Sequence, residues 1–489
     1  MSAGDKTLLV LAGIAAILGT VVFSALVILL QDEPPPPDDS DLVPSARPEV
    51  PADRNAWTYY AQALEKVKLP KKGEDADWPP APPAPAATGG KPAEDAAKTE
   101  PGDPPPDIRD RWIAIEDTTS WEQPLVDEVL KRNAEALALW EKGLAAPECL
   151  VPEAVPPMGT VPWLSNSLEM ARLSAVRVRN FARQDNDEAA MDEAVRIVRF
   201  GHHLEGGKGL IVTYLVGTAV KQMGLSEVIE LVPAGRVPPG RLRQVAAELA
   251  RYQADPRSLA DALRAEYGFG RIVVEKVASR EFDAGAVLGF RPSRADSLRM
   301  LFFKPNRTRR LMAEAFREMV RAAPMHRSEM PDLDRFPAAA MDETRFFNGN
   351  YVGGQVCRAY VGNMMGMTDL KCTTNVQVAA ARVLLAMKAF KLEKGRLPAT
   401  LDELVPGYLD AVPLDDFDGK PLRYNPAKKV IYSVGKDLRD DGGMTKKEYV
   451  DYKVREGGVD PKDINPDELK YYESEYPGQG PDPSFPIEF

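Results

Sequence analysis

The sequence predicts a mainly α-helical protein: an N-terminal transmembrane helix, an irregular helical bundle or solenoid-like body, and a small α/β domain towards the C-terminus. Three observations lead to this prediction. Residues 7–30 form an uncharged apolar run, apolar residues recur at helical spacing over much of 108–325 and 374–394, and two short strand-like segments lie within 421–434.

The composition is that of a globular protein and excludes several functional classes. The 489 residues include 62 Lys+Arg and 73 Asp+Glu, for a net charge of −11, and 44% are hydrophobic. This acidic balance does not favour a nucleic-acid partner bound through phosphate contacts. Because only three His and three Cys are present, His-rich metal sites and four-cysteine zinc modules are excluded.

Residues 7–30 are predicted to cross a membrane. These 24 residues carry no charge, and as a helix they would span roughly 36 Å, which exceeds a hydrocarbon core of about 30 Å. The alternative is a cleaved signal peptide. However, the run ends in Leu29-Leu30 and passes directly into Gln31 without a small-residue cleavage site. A single-pass signal anchor is therefore favoured.

The flanking charges predict the orientation of this anchor. Lys6 is the only base before the span, and residues 31–41 contain acids but no base. The positive-inside rule then places residues 1–6 in the cytoplasm. The bulk of the chain is expected on the periplasmic side of the inner, cytoplasmic membrane of a bacterium.

Residues 31–107 are predicted to be a proline-rich linker. Residues 31–106 hold 18 of the 44 prolines, and such segments are extended and semi-stiff because they bury little apolar surface. A short helix near 55–68, capped by Asn55, would need a partner surface to be stable. The linker is expected to be a stalk that holds the body away from the membrane.

Residues 108–327 are predicted to form an α-helical domain. Apolar residues at helical spacing lie on both sides of a turn at 185–187, which predicts a helical hairpin over 164–204. The apolar segment 210–220 is too short to cross a bilayer and is expected to be a buried central helix. Further helices are expected at 124–145, 238–253, 256–278 and 305–323.

The remainder of the chain has a different pattern. Residues 328–373, rich in Gly, Asn and Met, are expected to be connecting loops. A helix over 374–394 should end at Gly395, and a short helix is expected over 401–405. Two strands are then expected at 421–424 and 430–434, before an acidic irregular tail at 444–489.

Residues 375–443, about a seventh of the chain, resemble the C-terminal region of the major pseudopilin of type II secretion systems (protein G-like). The long helix is followed in order by Leu397-Pro398 and Leu404. The other matching residues are Pro413, Asp415, Phe417, Gly419, Pro421, Tyr424, Tyr432, Ser433, Val434, Gly435 and Asp437. The resemblance implies a pseudopilin-like α/β domain over 374–443.

The resemblance also implies a calcium ion in the final loop. It would be held by the Val434 carbonyl and the carboxylates of Asp437, Asp440 and Asp441. Calcium takes six to eight oxygen ligands, which an acidic, glycine-bearing turn can supply. The alternative is an acidic solvated turn. No other cofactor is expected.

Three other groups of residues could have a functional role. Cys357 and Cys372 could form a disulfide in an oxidising compartment, leaving Cys149 as a buried thiol. His202 and His203 are adjacent on a helix, which is poor spacing for metal ligands, and are interpreted as solvent-facing. A basic run could face lipid head groups, an acidic partner or simply solvent; it comprises Arg291, Arg294, Arg299, Lys304, Arg307, Arg309 and Arg310.

The predicted function is that of an extracytoplasmic interaction or scaffold protein, anchored in the bilayer by residues 7–30 and binding an unidentified envelope protein. No catalytic residue is singled out. Because the apolar run carries no acid and lies far from the pseudopilin-like helix, polymerisation like a pilin is not expected. Two alternatives remain: a component of a type II secretion-like apparatus, and an enzyme with a site between the helical body and residues 328–373.

Overall fold

The computed structural model describes residue 20 and residues 31–35, 38–44, 47–80, 106–153, 162–234, 236–282, 300–333, 335–344, 350–362, 364, 366–456, 478, 480 and 482–489. Apart from Thr20, the predicted membrane span at 7–30 lies outside these residues, as do residues 1–6. Within the described parts of the chain, no helix combines the length and apolar character needed to cross a bilayer.

The described part of the chain is mainly helical, which confirms the mainly α-helical part of the predicted fold class. Its N-terminal half contains α1 (Ala56–Lys66), α2 (Ile108–Glu116), α3 (Gln123–Arg132), α4 (Ala134–Ala145), α5 (Pro162–Arg183), α6 (Asp187–Glu205) and α7 (Ile211–Ala234). These are followed by α8 (Pro239–Leu249), α9 (Pro256–Ala278), α10 (Pro305–Ala322), α11 (Arg335–Glu343), α12 (Tyr351–Gly362), α13 (Met367–Lys394) and α14 (Lys446–Glu456).

Two hydrophobic clusters organise these helices. The first core joins side chains of α1–α8 with α13 and the C-terminal strands. The second core joins α9, α10, α11 and α12 with the start of α7 and with Leu42 from the predicted linker. The predicted linker helix is present as α1, where the Asn55 side chain accepts a hydrogen bond from the Trp57 N–H. Its partner surface includes Phe200 of α6, whose ring packs edge-on against Tyr60.

The predicted hairpin is present as α5 and α6, and its turn is capped by Asn186, which accepts from the Ala189 N–H. Helix α6 then packs closely against α7, which continues well beyond the predicted 210–220 segment. Glycines allow this approach. A Cβ atom on Gly217 would lie 2.6 Å from the Glu205 nitrogen, and one on Gly224 would lie 2.7 Å from the Val198 nitrogen.

The predicted helix at 124–145 is two helices, α3 and α4, separated at Asn133. This side chain is fully buried. Its amide exchanges hydrogen bonds with the backbone of Lys68, accepting from the N–H at 2.7 Å and donating to the carbonyl at 2.8 Å. The Asn133–Lys68 contact at this break connects the predicted linker to the helical body. Local periodicity does not predict such a long-range contact.

The expectation of loops over 328–373 is wrong for much of that segment, which contains α11, α12 and the first turns of α13. The small residues serve helix packing: a Cβ atom on Gly353 would overlap the Thr308 side chain. Asn350, fully buried before α12, accepts from the Lys304 N–H and donates to Thr308 and Glu343. Gly and Asn therefore permit close contact here rather than interrupting helices.

The C-terminal region combines α13 with a three-stranded antiparallel sheet of β1 (Arg423–Asn425), β2 (Val430–Tyr432) and β3 (Ser484–Pro486), in the order β1-β2-β3. Helix α13 ends at Gly395, at φ 72°, as predicted, and the segment expected to be a short helix over 401–405 is a 3-10 turn at Leu401–Leu404. Helix α13 packs against α7, α8 and β2, so the region shares the first core.

The expectation of an irregular tail at 444–489 is wrong where the structure describes that segment. It contains α14, and β3 pairs with β2 so that Ile431 lies opposite Phe485. Phe485 and Ile487 are 1% and 4% exposed. These apolar residues supply the burial that holds the chain end on the sheet.

Candidate functional site

The predicted calcium ligands lie in the loop that leaves β2. Val434 is buried, and its N–H donates to Asp415 Oδ2 at 2.9 Å. Asp437 is exposed and accepts from the Arg439 N–H. Asp440 contacts Arg423 Nε at 3.0 Å and accepts from the Tyr432 hydroxyl at 3.1 Å. The loop is thus held by hydrogen bonds and an ion pair.

Asp482, from the far end of the chain, reaches the same loop and was not among the predicted site residues. Its side chain is fully buried, and its Oδ2 accepts from the N–H groups of Asp441 at 2.9 Å and Gly443 at 2.8 Å. Its Oδ1 is buried without a hydrogen-bond partner. Burial, together with the charges of Asp441 and Asp440, raises the pKa of Asp482 to about 6.

Asp482 lies two residues before β3, so the pairing of β3 with β2 determines its position. The sequence signal for this was the apolar Ser484–Pro486 segment and Ile487 at the end of an otherwise polar tail. In the described residues, no three His, Cys, Asp or Glu side chains are grouped so that they could hold one metal ion. The four predicted ligands therefore share a loop without forming a ready-made cage.

Asp415, one of the residues on which the predicted pseudopilin resemblance rests, has a structural role. It is fully buried and accepts from the Phe417 N–H, the Ser433 hydroxyl and the Val434 N–H, while Arg423 lies 3.2 Å from its Oδ2. Burial raises the pKa of this carboxyl, and the three hydrogen bonds act in the opposite direction. Asp415 therefore ties the 413–421 loop to the exit of β2.

A second polar cluster lies where this loop meets the helical body. Asp416 Oδ1 is 2.8 Å from His326 Nδ1, and its Oδ2 accepts from Asn375 at 2.7 Å and lies 3.1 Å from Lys371 Nζ. Asp416 and Lys371 are buried, whereas a third of the His326 side chain is exposed. A cleft of about 270 Å³ lies alongside, lined by His326, Asn375 and Asp416 among others.

This cluster is the arrangement in which a buried carboxylate orients a histidine at a cleft. Such a pair can act as a general base on water or on a bound hydroxyl. It can equally be a purely structural tie, because Asp416 joins its own loop to His326 and to two residues of α13. Sequence reasoning missed it because His326 and Asp416 are ninety positions apart with no local motif.

The interpretation of His202 and His203 as solvent-facing is wrong. His203 Nδ1 lies 2.8 Å from the Tyr60 hydroxyl, and the His202 ring packs against Tyr252 at 5.5 Å. Burial lowers the pKa of His202 to about 3 and that of His203 to about 4. Both are packing residues between α6 and its neighbours.

The predicted disulfide is not formed. Cys357 and Cys372 are free thiols. Cys372 lies in the first core, whereas Cys357 lies in the second core. The Cys357 Sγ faces the Thr308 carbonyl oxygen at 3.6 Å. Burial raises the pKa of both thiols to about 12. Cys149, expected to be a buried thiol, is free and partly exposed.

The basic run faces an acidic partner that belongs to the same chain. Arg310 binds the Glu33 carboxylate with two nitrogens, at 2.7 and 2.9 Å. Arg309 lies 3.5 Å from Asp39, and Lys304 is buried. Arg291, Arg294 and Arg299 lie outside the described residues.

The acidic residues that meet this face belong to residues 31–35 and 38–44, named here the acidic segment. Asp32 accepts from the N–H groups of Asn306 and Arg307 at the first turn of α10. Asp41 binds Arg317 at 2.6 and 2.8 Å, further along the same helix. This part of the predicted linker therefore lies on the body and does not extend away from it as the expected stalk would.

Comparison with protein-family models, with curated proteins and with solved structures finds no significant match to this chain.

Proposed function

We propose that this protein is a membrane-anchored interaction or scaffold protein of a bacterial cell envelope. In this proposal residues 7–30 anchor it in the inner membrane, residues 1–6 stay in the cytoplasm, and the rest lies outside. The observation that carries the proposal is the docked acidic segment. The residues that follow the predicted anchor are bound to α10, so an anchor there would hold the folded body directly.

The packing of α13 favours the scaffold function rather than the alternative, a polymerising subunit of a secretion-like apparatus. Polymerisation through this helix would require its apolar face to be free for contacts between copies. Here the apolar residues of the pseudopilin-like helix are already covered by α7, α8 and β2, and Val376, Ala380, Val383 and Met387 are at most 1% exposed. This helix serves the core of its own chain.

Fractionation and affinity capture of the full-length protein test this proposal. We expect the protein in the membrane pellet, resistant to alkaline extraction, with its C-terminal part cleaved only by protease added from the periplasmic side. Capture from detergent-solubilised membranes should recover a stoichiometric envelope partner. A freely soluble cytosolic product would overturn the anchor, and recovery of secretion components would favour the alternative of membership in a secretion-like apparatus.

The proposal includes a structural calcium ion at the loop after β2. Its support is Asp482: a buried carboxylate with one unpartnered oxygen, close enough to Asp440 and Asp441 for their charges to raise its pKa. A hard cation would offset this repulsion, and carboxylate and carbonyl oxygens are the ligands that calcium prefers. The candidate donors are the Val434 carbonyl and the carboxylates of Asp437, Asp440, Asp441 and Asp482, which a bound cation would have to draw closer together than they lie in the described structure.

Thermal unfolding of the full-length protein, with calcium, magnesium or chelator, tests this site. We expect calcium alone to raise Tm, and Asp437→Ala or Asp482→Asn to remove the increase. Asp402→Asn, at an exposed position in the Leu401–Leu404 turn, is the matched control and should retain it. An equal Tm with calcium and with chelator would leave the acidic solvated turn as the correct interpretation.

The alternative of an extracytoplasmic enzyme is favoured by one observation, the His326–Asp416 pair beside its cleft. A broad hydrolase screen of the full-length protein tests it, with His326→Gln as the decisive variant. Turnover that is lost in this variant while Tm is unchanged would support an enzyme. Turnover that is unaffected by the substitution would exclude this cleft as its site.

A further inference from the structure

One end of the second core gathers several chain segments around Asn350. The first turn of α10, the end of α11 and the start of α12 meet at Asn350. Its side chain accepts from the Lys304 N–H and donates to Thr308 and Glu343, which connects the three helix ends. The last turns of α9 join them: Val273 and Val277 pack with Val352. Arg307 Nη2 also binds Glu343 at 2.6 Å. This end of the four helices is named here the Asn350 end.

The acidic segment starts at this end and runs away from it. Asp32 caps α10 at Asn306, Glu33 binds Arg310, and Asp41 binds Arg317. The same segment also contacts α9, where the contacted residue numbers decrease along the segment because α9 is antiparallel to α10. Asp39 accepts from the Tyr267 hydroxyl at 2.6 Å, and the Asp41 carbonyl accepts from Arg264. Leu42, 1% exposed, fixes the far end of the segment in the second core.

This direction constrains where an anchor can lie. Leu30, the last residue of the predicted span, is two positions from Asp32, and two extended residues reach only about 7 Å. The first turn of α10 must therefore lie close to the end of the span. Arg321, near the last turn of α10, is about 22 Å further along the helix axis. An inserted span would place the Asn350 end next to the bilayer and the other end away from it.

The surface of the Asn350 end suits an apolar–polar boundary. Met341 is 58% exposed, and a set of aromatic and sulfur-containing side chains is half-buried there; it comprises Phe282, Met300, Phe302, Phe303 and Tyr351. Arg280 nearby is exposed, and the Arg307 and Arg310 side chains retain 28% and 37% exposure. Aromatic and apolar groups flanked by arginine are the composition that favours the head-group region of a bilayer.

We propose that the Asn350 end is a membrane-contact surface that rests on phospholipid head groups, with α10 directed away from the bilayer. This inference rests on the proposed anchor at 7–30 and adds the orientation of the body. The acidic segment is bound along α10 and so connects the anchor rigidly to the folded body. Its docking replaces a flexible tether with a fixed height and a fixed rotation above the membrane.

Depth-dependent quenching on the full-length protein tests the orientation. A fluorophore is attached to Met341→Cys or Phe302→Cys, and the protein is reconstituted in phosphatidylethanolamine–phosphatidylglycerol vesicles containing a head-group nitroxide lipid. Arg321→Cys is the matched control, because its side chain is 59% exposed and lies near the end of α10 that is directed away from the bilayer. Labelled wild type measures the background from the native cysteines. We expect quenching at 341 and 302 to be several-fold stronger than at 321.

The outcomes separate the two proposals. Equal or reversed quenching at the two ends, with the protein still floating with the vesicles, would overturn the orientation but leave the anchor. Failure of every labelled protein and of the wild type to float would overturn the anchor and the orientation together. Met341 is exposed, so its variant tests the orientation even if Phe302→Cys fails to fold.

Discussion

Glu205 of α6 and Lys221 of α7 form an ion pair inside the helical body, where their side chains are 2% and 0% exposed. Thr218 donates to the other Glu205 oxygen at 3.1 Å. Burial raises the pKa of Glu205, while Lys221 and Thr218 act to lower it. Lys221 thus carries a charge into the core directly after the apolar segment 210–220, and Glu205 on the facing helix matches it.

Lys221→Met should destabilise the protein by about 3–5 kcal/mol at neutral pH, because it leaves a buried carboxylate without its counter-charge. The loss should shrink as pH falls, since the folded form then takes up a proton on Glu205. Urea unfolding at several pH values measures this. Lys221→Met combined with Glu205→Gln should recover much of the loss; no recovery would mean that packing of the lysine, and not its charge, matters.

Gly217→Ala should cost about 1–3 kcal/mol, because the new Cβ would lie 2.6 Å from the backbone nitrogen of Glu205 and the two helices would have to separate. Gly240→Ala, in the first turn of α8, is the control, since nothing lies within 4 Å of its Cβ position. It should be neutral or slightly stabilising. Equal Tm values for both variants would contradict the close α6–α7 packing.

Asp482→Asn should flatten part of the pH dependence of stability measured in chelator. Burial raises the pKa of Asp482 in the folded state to about 6, above its ordinary value of 3.8, so the folded state holds an extra proton between these two pH values. Its contribution to stability is therefore fully present below about pH 4 and is lost as pH rises through 6. Identical wild-type and Asp482→Asn profiles would refute a raised pKa.

Leu42→Ala should release the acidic segment more than removal of one of its ion pairs does. Burial of a leucine contributes about 2–5 kcal/mol, whereas a partly exposed pair such as Asp41–Arg317 contributes at most about 1 kcal/mol. Cleavage of the Ser40–Asp41 bond, within the acidic segment, by a protease that cuts on the N-terminal side of aspartate measures release. We expect faster cleavage in Leu42→Ala than in Arg317→Gln. The opposite order would show that charge pairing dominates the docking.

Local pattern was sufficient for much of the helical framework. The caps at Asn55 and Asn186, the stop at Gly395 and the apolar periodicity of α5, α6, α9, α10 and α13 are properties of neighbouring residues, so the sequence reveals them directly. It also revealed the loop that carries Asp437, Asp440 and Asp441. Glycine and asparagine misled where their role is long-range, as at Gly353 and Asn350, because a close helix contact and a loop have similar local composition.

The sequence by itself determined the mainly helical class and most helix positions, and it predicts the candidate anchor, because each depends on charges and apolar side chains within a few turns of chain. Only the tertiary structure decided which charges meet. It brought Asp482 to the loop after β2, Asp416 to His326, Glu205 to Lys221 and the acidic segment to the arginines of α10. These pairs are between 16 and 279 positions apart, and their attraction depends on burial and distance in three dimensions, which linear order does not encode.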